Sequence, residues 1–154
     1  MKKLLIILTI LLIPFSVTAQ QSKKKQSPLP LAKYYDNVNL PLTLKERSQI
    51  IEVYGKFADK YIFNNPHRLK SVKHILRNRV VIKLITNEND QKECPKLSEI
   101  ALLNEYVSDI KRDETFKVNN FNPLKYNFEY HSRFGSIYKV DNTNYYIIIK
   151  SQYQ

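Results

Sequence analysis

The chain has 154 residues, a formal net charge of +11, 43% hydrophobic residues, 11 tyrosines and 7 phenylalanines, with a single cysteine and two glycines. That balance is of a chain with a core rather than a disordered one. A lone Cys94 excludes an internal disulfide, and Gly55 and Gly135 alone exclude the Gly-rich phosphate loops of nucleotide-binding proteins, so no cofactor is expected.

Lys2 and Lys3 precede an apolar run from Leu4 to Ile13, closed by Pro14 and followed by Val17-Thr18-Ala19. The run is about half the roughly twenty residues that a bilayer-spanning helix needs. Charged start, short apolar core and small residues before a cleavage point are the three parts of a secretory signal. Residues 1–19 are therefore read as a signal peptide cleaved after Ala19, with no stable transmembrane anchor. The protein is expected to be exported, periplasmic or secreted. No cysteine stands at the cleavage point to carry a lipid.

Cleavage leaves 154 − 19 = 135 residues, enough for one domain, with charge +11 − 2 = +9. Such an excess favours an anionic envelope component, a glycan or an exported protein as partner. Export puts nucleic acid behind these, and nothing fixes an oligomeric state.

From Gln20 to Asn39 the chain carries Ser, Gln, the run Lys23-Lys24-Lys25, Pro28 and Pro30. Prolines fix φ and remove donors, so 20–39 reads as a flexible linker before a domain at 40–154. "TLKE" at Thr43–Glu46 is a capping box. Ile50, Ile51, Tyr54, Phe57, Ala58, Tyr61 and Ile62 then recur at three- and four-residue spacing, which predicts one amphipathic helix to about Phe63 across Gly55.

"NNPHRLKSVKHILRNR" predicts a second helix, with Asn65 as N-cap and Pro66 at the first position. Leu69, Val72 and Leu76 form its apolar edge. Lys70, Lys73, His74 and Arg77 fall at i, i+3, i+4 and i+7, so they share the opposite side. "VVIKLI" follows as a strand covered on most of both faces. Leu97, Ile100, Leu103, Val107 and Ile110 allow a third helix over 97–110.

In the tail, Tyr126, Phe128 and Tyr130 alternate with polar residues as in a half-buried strand. Gly135 and Asp141–Asn144 mark turns, and Tyr145–Lys150 is apolar enough to be central. The expected fold is α+β: two or three helices packed on a mostly antiparallel sheet that ends in a three-strand meander. The element order is similar to that of nuclear-transport-factor-2-like proteins, in which a curved sheet wraps a long helix. The segments "FNPLKY" and "YKVDNTNYYIIIK", with "TAQQ" at the signal's end, resemble those of small exported bacterial proteins of unassigned function. That resemblance implies export and brings no activity or site residue with it.

Three groupings bear on chemistry. Cys94 with His131 as base and Glu129 orienting it would make a catalytic nucleophile, but "KECPKL" matches no cysteine-hydrolase signature, so a free structural or dimer-forming thiol is expected. His67 and His74 lie two helical turns apart, too far for joint chelation of one ion. Glu129 and Asp141 are carboxylates of the tail, with surface and turn roles expected. The basic side of the second helix is the most specific feature: Lys70, Lys73, His74 and Arg77 are candidates for contact with an anion. Tyr138, Tyr145 and Tyr146 add a tyrosine-bearing sheet for a glycan or peptide. The functional expectation is a non-enzymatic exported binder of an anionic partner. The alternatives are an exported hydrolase and an inhibitor or chaperone of another exported protein.

Overall fold

The computed structural model describes residues 31–153; the signal at 1–19 and the linker as far as residue 30 lie outside the described residues. The described chain is an α+β fold, with helices α1 (Leu44–Tyr54) and α2 (Pro66–His74) and strands β1 (Val80–Leu84), β2 (Ser136–Lys139) and β3 (Tyr145–Ile149). The strands form one antiparallel sheet in the order β1-β3-β2. Among the described residues no helix is long and apolar enough to cross a membrane.

The capping box forms as expected. The Glu46 N–H donates to Thr43 Oγ1 at 3.2 Å, and the Thr43 N–H donates to Glu46 Oε2 at 2.8 Å. The helix does not run on to Phe63. It stops at Gly55, whose φ of +52° and ψ of −133° no helix contains. A 3-10 turn (Gly55–Phe57) and a π turn (Asp59–Phe63) carry the chain onward. The position also has little room for a side chain: a Cβ on Gly55 would lie 3.0 Å from Val107 Cγ2. Asn65 caps α2 by accepting from the Arg68 N–H at 3.1 Å, with Pro66 at the first position. A π turn (Ile75–Arg79) then leads into β1, and the Val80 N–H closes it on the Ile75 carbonyl.

β3 is central, with Tyr146 and Ile147 fully buried. Asn142, at φ +54°, makes the turn from β2. β1 departs from expectation: it is an edge strand, half-buried as far as Ile82 and exposed at Lys83 and Leu84. The third helix also does not form. Leu97–Glu99 is a 3-10 turn, and the irregular chain after it is held by the Arg112 guanidinium, which donates to the carbonyls of Leu97 and Ile100.

Tyr126 and Phe128 do point inward while Asn127 and Glu129 point out, but they make no strand. The Phe128 and Tyr130 N–H groups donate to carbonyls two residues back, at 2.8 and 2.7 Å, which are local turn bonds. The tail therefore supplies two strands, and β1 rather than a third tail strand completes the sheet. Three strands and a helix ended at Gly55 do not make the cone of nuclear-transport-factor-2-like proteins.

The core has two clusters. One packs Tyr138, Ile147 and Ile149 against Phe121, Tyr126 and Phe128; the other joins Ile50, Val53, Ala58, Ile62, Val72 and Leu124. Phe121–Tyr126, the "FNPLKY" segment, is buried throughout and belongs to both. Its polar members are satisfied inside. Asn122 Nδ2 donates to the Gln49 carbonyl (2.9 Å) and Glu52 (2.8 Å), and Lys125 Nζ pairs with Asp113 (2.7 Å) and Glu52 (3.2 Å).

The fold also begins earlier than residue 40. Asp36–Asn39 is a 3-10 turn with Val38 buried, and the Lys33 N–H donates to the Gln152 carbonyl at 2.9 Å. The linker reading of 20–39 therefore fails for its last residues.

Candidate functional site

The basic side of α2 is mostly not a surface. Lys73 is buried, and its Nζ donates to the carbonyls of Val38 (3.1 Å) and Leu40 (2.7 Å). Arg77 grips Glu46 with two bonds, Nε to Oε1 at 2.5 Å and Nη2 to Oε2 at 2.7 Å. It also donates to the carbonyls of Asn37, Leu40 and Pro41. His74 is buried against the rings of Tyr34 and Tyr35, at centroid distances of 4.9 and 6.1 Å. Its Nδ1 accepts from Asn78 Nδ2 at 3.2 Å, which leaves the proton on Nε2. Burial, then the charge of Arg79, lowers the imidazole pKa, so the ring is neutral.

The physical reason is hydrogen-bond demand. Residues 36–41 have no sheet ladder, and buried carbonyls need donors. Lys73 and Arg77 provide them. Of the four candidates only Lys70 is exposed, its ammonium 4.8 Å from the Tyr34 ring centroid. The expectation that the four form one anion-facing side is overturned by this covering segment.

The sheet tyrosines are core as well. Tyr138 packs on Phe128 (4.8 Å) and Tyr145 on Phe116 (5.5 Å), while Tyr146 lies fully buried on the other face beneath the Lys139 ammonium. Tyr138 and Tyr146 are buried, and Tyr145 is half-buried.

A different set of tyrosines does line a concavity. A cleft of about 480 Å³ opens between α2 with the preceding π turn on one side and residues 103–106 and 126–131 on the other. Tyr54, Tyr106, Tyr126 and Tyr130 line it, with Ile62, Val72, Ile75 and Leu103 as apolar floor. The Tyr54 and Tyr106 rings lie 4.8 Å apart, and Tyr61 continues the cluster 5.1 Å from Tyr106. Tyr130 is anchored by its hydroxyl, which donates to the Pro123 carbonyl at 2.9 Å.

Burial raises the phenol pKa of Tyr54, Tyr126 and Tyr130, so all three are neutral donors and acceptors. Around them stand Arg68, Ser71, Glu105, Asn127 and His131. Arg68 is exposed, its guanidinium 5.6 Å from the Tyr61 ring centroid. Aromatic faces with a rim of mixed donors and acceptors suit a ligand with an apolar face and polar edges.

Sequence reasoning misses this cleft because Tyr54 reads as part of a helix stripe, Tyr126 and Tyr130 as a strand, and Tyr106 falls in neither pattern. Gly55 is the local sign that the helix stops after Tyr54, and nothing local announces that Tyr106 packs there. The Cys94 grouping does not assemble. Cys94 lies in a loop concavity with Gln91, Lys96 and Lys139, whereas His131 lines the tyrosine cleft. Burial also pushes the Cys94 thiol pKa up, away from a reactive thiolate. Glu129 is exposed, and Asp141 accepts from the N–H and hydroxyl of Ser98 at 3.0 and 2.6 Å. Among the described residues no three His, Cys, Asp or Glu side chains cluster as a metal site. Comparison with protein-family models, curated proteins and solved structures finds no match to this chain.

Proposed function

We propose that the protein is exported through its N-terminal signal and binds an anionic glycan of the envelope or extracellular space, without transforming it. The ligand sits in the tyrosine-lined cleft rather than on the sheet. The observation that carries this reading is the combination of Tyr54 and Tyr106 ring faces with Arg68, Asn127 and Ser71 around one opening of about 480 Å³. Sugar C–H faces stack on aromatic rings, and their hydroxyls need donors and acceptors at the edge. Arg68 supplies the charge beside this cleft, from the side of α2 that carries Ser71 and Val72, with Lys70 as the next exposed cation of the helix. Over residues 31–153 there are 20 Lys and Arg against 14 Asp and Glu, a net of 20 − 14 = +6, which favours the approach of an anion.

Calorimetric titration with a uronic-acid oligosaccharide and its carboxyl-reduced, neutral counterpart tests the proposal. Tyr106→Ala removes a ring face, and Arg68→Gln removes the charge. Each is expected to weaken binding by roughly tenfold, corresponding to about 1.4 kcal/mol, with the acidic sugar preferred. Equal affinity for the two sugars, or no effect of either variant, refutes the reading. Glu105 and His131 share the cleft, which favours hydrolysis as the second reading. Cleavage of the oligosaccharide by the wild type but not by Glu105→Gln would establish that reading instead.

A further inference from the structure

We infer that the outer edge of β1 is a docking site for an extended, acidic polypeptide segment, which adds to the sheet as a fourth strand. This site is independent of the tyrosine cleft.

The register defines the free groups. Val81 pairs with Ile148 and Lys83 with Tyr146, while the flanking bonds run from Lys150 N–H to the Arg79 carbonyl and from Ile85 N–H to the Asn144 carbonyl. In an antiparallel ladder the bonded pairs alternate. Residues 79, 81, 83 and 85 therefore bond to β3, and Val80, Ile82 and Leu84 direct their backbone groups away from it. The Val80 N–H is engaged with the Ile75 carbonyl. The N–H groups of Ile82 and Leu84 and the carbonyls of Val80, Ile82 and Leu84 pair with no described residue. The opposite edge differs: at β2 the Lys139 N–H donates to the Pro95 carbonyl at 3.0 Å, so a loop covers it.

A row of outward donors and acceptors at strand spacing is matched by another extended backbone. There is also room for one. A groove of about 290 Å³ lies beside Val80 and Ile82, lined also by Thr43, Lys45, Gln49, Val118 and Phe121. Leu84, 51% exposed, and Val118, 38% exposed, give apolar contact to alternate side chains of a guest.

Charge selects the guest. Lys83 stands exposed in the strand and Lys45 lines the groove, its ammonium donating to the Asn119 carbonyl at 2.6 Å, while the groove's carboxylate, Glu46, is held by Arg77. A second copy of this chain fits less well. Symmetric pairing centred on Ile82 would set the two Lys83 side chains on one sheet face across the junction, and lysine on an edge strand opposes such self-pairing. The engaged Val80 N–H would also leave a bond unmade at each end.

The test is backbone amide exchange of the full chain, read by NMR, without and with a short capped peptide alternating valine and glutamate. In the free protein, Val81 and Lys83 amides are protected and those of Ile82 and Leu84 exchange fast; the peptide protects the latter two. Leu84→Pro deletes one outward N–H without touching the ladder and weakens peptide binding at least about tenfold. Lys83→Gln weakens it about threefold and lowers its salt dependence. Should the proline variant fail to fold, the same peptide with alternate amides N-methylated gives the decision, because it cannot bond to the edge.

Equal binding of the N-methylated peptide overturns the proposal. So does equal binding of a lysine-for-glutamate peptide. Protection of Ile82 and Leu84 in the free protein, rising with protein concentration, overturns it in favour of a second copy.

Discussion

Arg77→Gln separates a cation that holds the fold from one that awaits a ligand. The side chains of Arg77 and Glu46 are 12% and 11% exposed and meet in a two-bond pair. The same guanidinium donates to the carbonyls of Asn37, Leu40 and Pro41. Glutamine removes the charge and leaves Glu46 to the Thr43 backbone alone. Breaking a fully buried pair costs about 3–5 kcal/mol, and this pair keeps some contact with water, so a loss of about 2–4 kcal/mol is expected.

The titration of Glu46 gives a second measure. The hydrogen bond from Arg77, acting against burial and joined by the Thr43 N–H, lowers its pKa from 4.5 to about 2. At about 1.4 kcal/mol per pKa unit this corresponds to roughly 3 kcal/mol. Because the folded value lies below the unfolded one, that stability is full above pH 4.5 and is lost as pH falls toward about 2. In urea, with a slope of about 1.5 kcal/mol/M, the midpoint should fall by about 2 M at neutral pH. The difference between wild type and variant should shrink as pH drops from 4.5 to about 2. Lys70→Gln, on the exposed part of the same helix, should stay within about 0.5 kcal/mol. An unchanged midpoint for Arg77→Gln, or equal losses for the two variants, would refute the assignment of Arg77 to the fold.

Two further outcomes are expected. Gly55→Ala should destabilise by about 2 kcal/mol or more, since a side chain is strained at φ +52° and would meet Val107, and a gain in thermal midpoint would contradict the described turn. Intact mass of protein recovered outside the cytoplasm should match a chain starting at Gln20, whereas full-length chain retained in membranes would contradict cleavage.

What was legible in the sequence is local. The Thr43–Glu46 box and the Asn65-Pro66 start depend on side chains three residues from the backbone groups they satisfy, so spacing alone identifies them. β3 was legible as central because five consecutive apolar residues leave no face for water. What was not legible depends on a partner distant in the chain. At Gly55, where α1 ends, Val107 stands 3.0 Å from where a Cβ would be, and nothing near Gly55 announces that neighbour.

The alternation at Tyr126–Tyr130 records which side chains point inward, and it holds. It does not record whether the backbone bonds to a strand or to itself. The basic side of α2 is the same problem in charge. Periodicity places Lys70, Lys73, His74 and Arg77 on one side of a helix, but it is silent on what covers that side. The cover is residues 34–41, most of which fall at the end of the 20–39 stretch that reads as a linker. A segment without a ladder can dock only if something donates to its carbonyls. In this protein lysine and arginine do so at Val38, Leu40 and Pro41, at Leu97 and Ile100 through Arg112, and at Tyr130 and Lys150 through Arg79. Part of the positive charge is thus internal and serves irregular backbone. A search for the ligand should therefore weight exposed cations such as Arg68 and Lys70 over the total charge.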